Sequence, residues 1–229
     1  MQKSNIPTWG SSNNALVGIL ALNLSIAAAV LFIRSIYFIE GYPMQDYLHQ
    51  VYENIVLLPA NWHSKPWTIF TYNWVLADYW SLFINQFWFF LFGYILFING
   101  ANRHLFPIYL YTGILGGIAY VLSGSDIILV GQEMSVIAIA FASIAYVPKH
   151  VLFDKAAPWL TTIVLFFVYL VLFGLLHKQA SWMLKCIYIF SGICGYSYVL
   201  LLQKNIDLGG WMHKSIQYLN QMFEPKNNG

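Results

Sequence analysis

Residues 130–148 read VGQEMSVIAIAFASIAYVP, and the fold turns on this stretch. It is a predominantly apolar helix, stopped by Pro148, with one acid, Glu133, a turn from its start. A carboxylate at the bilayer centre costs roughly 2.5–3.5 kcal/mol on insertion scales, so an acid at membrane depth marks a functional candidate. Near a helix end that faces a wet cavity the cost is much lower. The rest of the chain has the same character. Its 229 residues are 59% hydrophobic and only 9% charged, with mean hydropathy +0.60. A soluble domain carries about 25% charge, so this is a polytopic membrane protein. A net charge of +2 gives no basic field for nucleic acid.

Working outward, apolar runs near 20 residues place six transmembrane helices at 15–33, 79–98, 105–122, 130–147, 159–176 and 183–203. The expected class is an all-α helical bundle. A polar and aromatic loop at 34–67 suits the membrane interface, and Pro43, Pro59 and Pro66 break any long helix there. Gly113, Gly116 and Gly117 on the third span, and Gly192 and Gly195 on the sixth, allow close helix approach. Cys186 and Cys194 both fall in the sixth span and are expected as packed thiols, not a disulfide. The start, MQKSNIPTWGSSNN, is polar and shows no cleavable-signal pattern. Residues 1–203 read as one membrane domain and 204–229 as a cytoplasmic tail. In that tail Ile206, Leu208, Trp211, Ile216, Leu219 and Phe223 suit an amphipathic helix. With both ends inside, seven basic residues (Lys3, Arg103, Lys149, Lys155, Lys204, Lys214 and Lys226) lie inside. Four (Arg34, Lys65, Lys178 and Lys185) then lie outside, and Glu133 falls near the outer end of the fourth span.

Three patterns follow in order: KPWTIFTYNWVLADYWSLFINQFWFFLFG at 65–93, RHLFPIYLYTGILGGIAY at 103–120, and the VGQEMS helix. In this the chain resembles the rhomboid intramembrane serine proteases. That family runs as Pro-Trp, Thr-Tyr, a histidine-rich segment ending in His-x-x-x-Asn, a Leu-Tyr-x-x-x-Gly-x-x-Gly-Gly span and a Gly-x-Ser span. The tail KNIDLGGWMHKSIQYL is similar to the segment after the last span in a group of bacterial rhomboids. The resemblance covers about 67–219 and is weakest in the first span. It implies a serine nucleophile on span four, a histidine base on span six and oxyanion donors on span two. Carried over by position, the glycine is Gly131 but the serine is Glu133. The two span-two histidines fall on Leu76 and Ser81, and the asparagine is Asn85. The base falls on Tyr188 if Gly195 sets the register, or on Ile189 if Gly192 does. By this topology His49, His63 and His177 lie in outer loops, and His104, His150 and His213 lie inside.

The resemblance therefore implies a catalytically inactive rhomboid of a bacterial inner membrane, a pseudoprotease without cofactor or metal. Such a protein binds transmembrane segments of partner proteins, here as a subunit or assembly factor of a larger complex. The docking place is the gate between spans two and five, with Glu133, Gln132 and Asn85 as hydrogen-bond partners. Two readings of the site stay open. Gln132 and Glu133 either cap the outer end of span four, where an acid favours the helix dipole, or furnish a polar site in which Glu133 bonds Asn85, Tyr188 or a partner helix. Asn85 reads first as a helix–helix hydrogen bond, Ser81 as a small packing residue, and Trp88, Phe89, Phe90 and Phe92 as lipid-facing or core. The alternative function is a residual protease using Ser135 or Glu133. Ser135 lies two residues on, about 200° around the helix. A Glu133–Asp78 acid pair is conceivable, with Asp126 also near an outer loop. No HExxH or Cys/His cluster points to zinc. A transporter would carry more intramembrane charge and paired broken helices.

Overall fold

The computed structural model describes residues 14–75, 79–125, 127–153, 157–212 and 214–215. Leu76, Asp78, Asp126, His213 and the tail positions Ile216, Leu219 and Phe223 lie outside the described residues. Helix α1, Ala15–Ile39, starts under Asn14, whose side chain accepts from the Val17 amide. It runs six residues beyond Ile33, because no proline or glycine follows until Gly41, whose φ of +73° ends it. The loop beyond holds α2, Met44–Gln50, and α3, Thr68–Thr71. It is pinned to the core by paired backbone bonds between Leu57 and Leu129 at 3.0 and 2.8 Å.

Helices α4, Tyr79–Leu96, and α5, Asn102–Leu122, belong to one apolar stretch of 44 residues. Gly100, at φ +85°, breaks it into two helices. Asn99 closes the end of α4 by donating to the Ile95 carbonyl at 2.7 Å. Helix α6, Glu133–Tyr146, follows, then a small antiparallel hairpin of β1, Val151–Phe153, and β2, Ala157–Thr161. Helices α7, Thr162–Leu176, and α8, Trp182–Gln203, follow, each capped by a hydroxyl, from Thr161 and Ser181.

Three segments are long and apolar enough to cross a membrane: Ala15–Ile39, Tyr79–Leu122 and Trp182–Gln203. Helices α6 and α7 are apolar but shorter. The chain is thus a multi-pass membrane bundle, and helices occupy all six expected segments. Several of their bounds differ from expectation, and two of the starts have a local cause. The helix expected from residue 130 starts at Glu133, because Gly131 holds a φ of +108°. The helix expected from residue 159 starts at Thr162, because Trp159–Thr161 pair in β2 and the Thr161 hydroxyl then caps α7.

Helix α6 is the centre of the bundle. Ten of its 14 residues are buried, so protein rather than lipid surrounds it and it need not match the bilayer's thickness. Small residues make this possible. A Cβ at Gly195 of α8 would meet the Ala138 carbonyl carbon of α6 at 2.7 Å, and one at Gly192 would meet the Phe141 ring at 2.8 Å. On α5, Gly113 abuts Asn73 and Ser135, Gly116 abuts Met134, and Gly117 abuts the Tyr72 ring. The glycines therefore do what their spacing implies. The two cysteines are free, but Cys186 is exposed and Cys194 half-buried, so Cys186 is not the packed thiol expected. Eight positions along one helix separate them by about 12 Å, too far for a disulfide. The described part of the tail folds back onto α5: Tyr111 donates to the Leu208 carbonyl at 2.9 Å, and the Trp211 indole donates to Tyr111 at 2.6 Å.

Candidate functional site

The site is assembled where the chain turns into α6. The Gly131 amide donates to the Tyr72 carbonyl at 3.1 Å, and its left-handed backbone swings the next residues inward. The Glu133 side chain curls back over Gly131. A Cβ at position 131 would meet both carboxylate oxygens, so this approach requires glycine twice over. Glu133 is 7% exposed. Its Oε1 accepts from Asn85 Nδ2 at 3.0 Å and from the Ser81 hydroxyl at 3.1 Å. Ser81 and Asn85 are one turn apart on α4 and lie 3.3 Å from each other. Asn85 is six residues, about 9 Å, below the start of that helix. The carboxylate also stands in the first turn of α6, where the helix dipole favours negative charge. No ion pair to Glu133 forms among the described residues.

Glu133 is a first-turn acid of α6 whose side chain bonds Asn85 and Ser81 of α4, and no side-chain cap bond forms at this helix start. Ser81 gives its hydroxyl to the carboxylate. Trp88, Phe89 and Phe92 are core residues, and Phe90 is at the surface. No hydrogen bond among the described residues joins Tyr188 to Glu133. Tyr188 is buried and Ile189 is 56% exposed, so of the two register positions on α8 only Tyr188 faces the interior. Its ring meets Phe173 at 5.0 Å and His177 at 5.4 Å, while His177 Nδ1 lies 3.1 Å from the Phe173 carbonyl. No histidine bonds Glu133 or Ser135 among the described residues.

Gln132 leaves this group. It makes no cap bond with its side chain. Its Oε1 accepts instead from Asn23 of α1 at 2.7 Å and sits 3.1 Å from the Tyr109 hydroxyl. That hydroxyl has two further acceptors, Asn23 Oδ1 and the Asn73 carbonyl, both at 3.2 Å. Ser135 points to the same side as this network. It is fully buried, and its hydroxyl donates to the Tyr109 carbonyl at 2.7 Å, with Asn73 Oδ1 a second acceptor at 3.1 Å. Helix α6 therefore presents Glu133 to α4 and Ser135 to α5, as an offset of two residues demands.

A family model for the Rhomboid domain matches residues 63–205, well over half of the chain. The chain belongs to the rhomboid family. A search of curated proteins finds no match. In this rhomboid the matched region holds the residues around Glu133 and leaves out α1, which contributes Asn23. Sequence reasoning overlooked Asn23, Asn73, Tyr109 and Tyr169. Asn23 carried a signal, as the one amide within the apolar run 15–33. The tyrosines carried none, because a tyrosine in a membrane helix reads equally well as core.

Proposed function

We propose that this rhomboid is a pseudoprotease that binds transmembrane segments of partner proteins, as a subunit or assembly factor of a bacterial inner-membrane complex. In this reading each of the six apolar helices, α1 and α4 to α8, crosses the membrane, with both chain ends in the cytoplasm. The observation that carries the reading is the Glu133 carboxylate in the position of the family's serine. Ser81 and Asn85, which stand at span-two positions of the oxyanion and histidine motif, are both engaged by it. A nucleophile's place is thereby filled by an acceptor, and the donors of an oxyanion site are turned onto a resident carboxyl group. A segment reaches this place between α4 and α7. There the contact is made by rings, Trp88 and Phe92 lying 5.1 and 5.4 Å from Tyr169.

Purification from the native host in mild detergent, with mass spectrometry of what travels with the protein, tests the reading. Stoichiometric membrane partners are expected with wild type, and Glu133→Ala is expected to lose them. A lone monomer in both samples overturns the scaffold role. A second expectation concerns chemistry: folded protein does not cleave a generic transmembrane substrate. Cleavage that disappears in Ser135→Ala or Glu133→Gln would restore the protease alternative.

A further inference from the structure

We infer that the partner segment docking at this site carries a basic side chain, a lysine at membrane depth, that pairs with Glu133. The inference rests on the binding role proposed above and specifies the partner's chemistry. Three features surround the Glu133 carboxyl group: the Asn85 amide, the Ser81 hydroxyl and the start of α6. None of them is a cation. An acid within a membrane helix pairs with a base or lines a polar path, and the described histidine–acid contacts, His49–Glu53 and His104–Asp207, leave Glu133 out.

The remaining hydrogen-bonding capacity points the same way. Both donors converge on Oε1, so Glu133 Oε2 has no hydrogen bond among the described residues. Asn85 spends its Nδ2 on the acid, which leaves Oδ1 as an acceptor. Tyr169 of α7 is 1% exposed, and its hydroxyl is buried without a hydrogen-bond partner among the described residues. Gln132, the neighbour that could have supplied a donor, is turned onto Asn23 and Tyr109. The groups left over are two acceptors and a hydroxyl. An ammonium has three donors and no acceptor, so it satisfies what a second carboxylate or a carbonyl could not. Tyr169 is also the residue that bridges α7 to Trp88 and Phe92 of α4, so the unpaired hydroxyl stands at the place of approach.

The test uses the full-length protein in phosphatidylcholine vesicles with labelled synthetic transmembrane peptides of about 20 leucines and alanines. One peptide carries a single lysine one turn inside its apolar stretch, and its twin carries leucine there. Energy transfer to labelled protein reads association. The lysine peptide is expected to associate roughly tenfold more tightly than its twin with wild type. Glu133→Gln, which keeps the shape and the Asn85 contact, is expected to erase that difference. Equal association of the two peptides with wild type overturns the lysine and leaves the binding role standing. A lysine preference that survives in Glu133→Gln also overturns it. Association of neither peptide sinks both the lysine and the binding role. The comparison of peptides on wild type does not depend on the variant's folding.

Discussion

Gly195→Leu abolishes the folded bundle. The glycine faces the Ala138 backbone, with the carbonyl carbon 2.7 Å and the α-carbon 2.8 Å from where a Cβ would sit. Extra methylenes in a packed core ordinarily cost about 1–3 kcal/mol because side chains around them yield. Here the obstacle is the main chain of the most buried helix, so α6 and α8 must separate, and the whole α6–α8 seam goes with them. Gly192→Leu meets the Phe141 ring instead, which can turn aside, and is expected to lower stability without preventing folding. Size-exclusion profiles and thermal unfolding in mild detergent distinguish the two. A Gly195→Leu protein that remains monodisperse with an unchanged midpoint would mean that the helices do not approach as described.

Tyr109→Ala is the second large effect, costing about 3–5 kcal/mol as expected for a buried aromatic. The ring is fully buried and packs 4.9 Å from Trp74 and 5.6 Å from Phe89, centroid to centroid. Its hydroxyl stands among Asn23, Asn73 and Gln132, which belong to α1, the loop before α4 and the turn into α6. Tyr109→Phe keeps the ring and removes only the hydroxyl, so it is expected to cost about 1 kcal/mol, in line with interhelical hydrogen bonds in membranes. Unfolding by denaturant in mixed micelles measures both. Equal losses in the two variants would place the stabilisation in the hydroxyl and its neighbours, not in the ring.

What sequence could and could not convey follows from the range of the interaction. A run of apolar residues is local, so all six helices stand where hydropathy puts them. The glycines of α5 and α8 were legible too, because close approach leaves a spacing that only small residues satisfy. Helix ends were less so: α1 runs on to Ile39 until Gly41 stops it, and α7 waits for the Thr161 hydroxyl. The site was half legible. Glu133 stands out in sequence as an acid in an apolar helix, and Asn85 as a polar residue within reach of it. Gln132 was grouped with them by adjacency, yet its partner, Asn23, lies 109 residues away. Nothing local distinguishes a side chain turned towards α4 from one turned towards α1. The register of α8 is open in sequence because either Gly195 or Gly192 can set it, and only packing turns Tyr188 in and Ile189 out.

Helix α7 has a consequence for where in a membrane the protein resides. Its 15 residues rise about 22 Å, against a hydrocarbon layer of about 30 Å. Unlike α6 it is not shielded, since Phe167, Val171 and Leu175 are all more than 60% exposed. On the proposed six-span reading, lipid chains beside it shorten or tilt, at a cost of a fraction of a kcal/mol for each ångström of mismatch. That cost is smallest where acyl chains are short or disordered. The same reading therefore gives the protein a preference for thin patches of bilayer, with acyl-chain length as a variable that sets its local concentration.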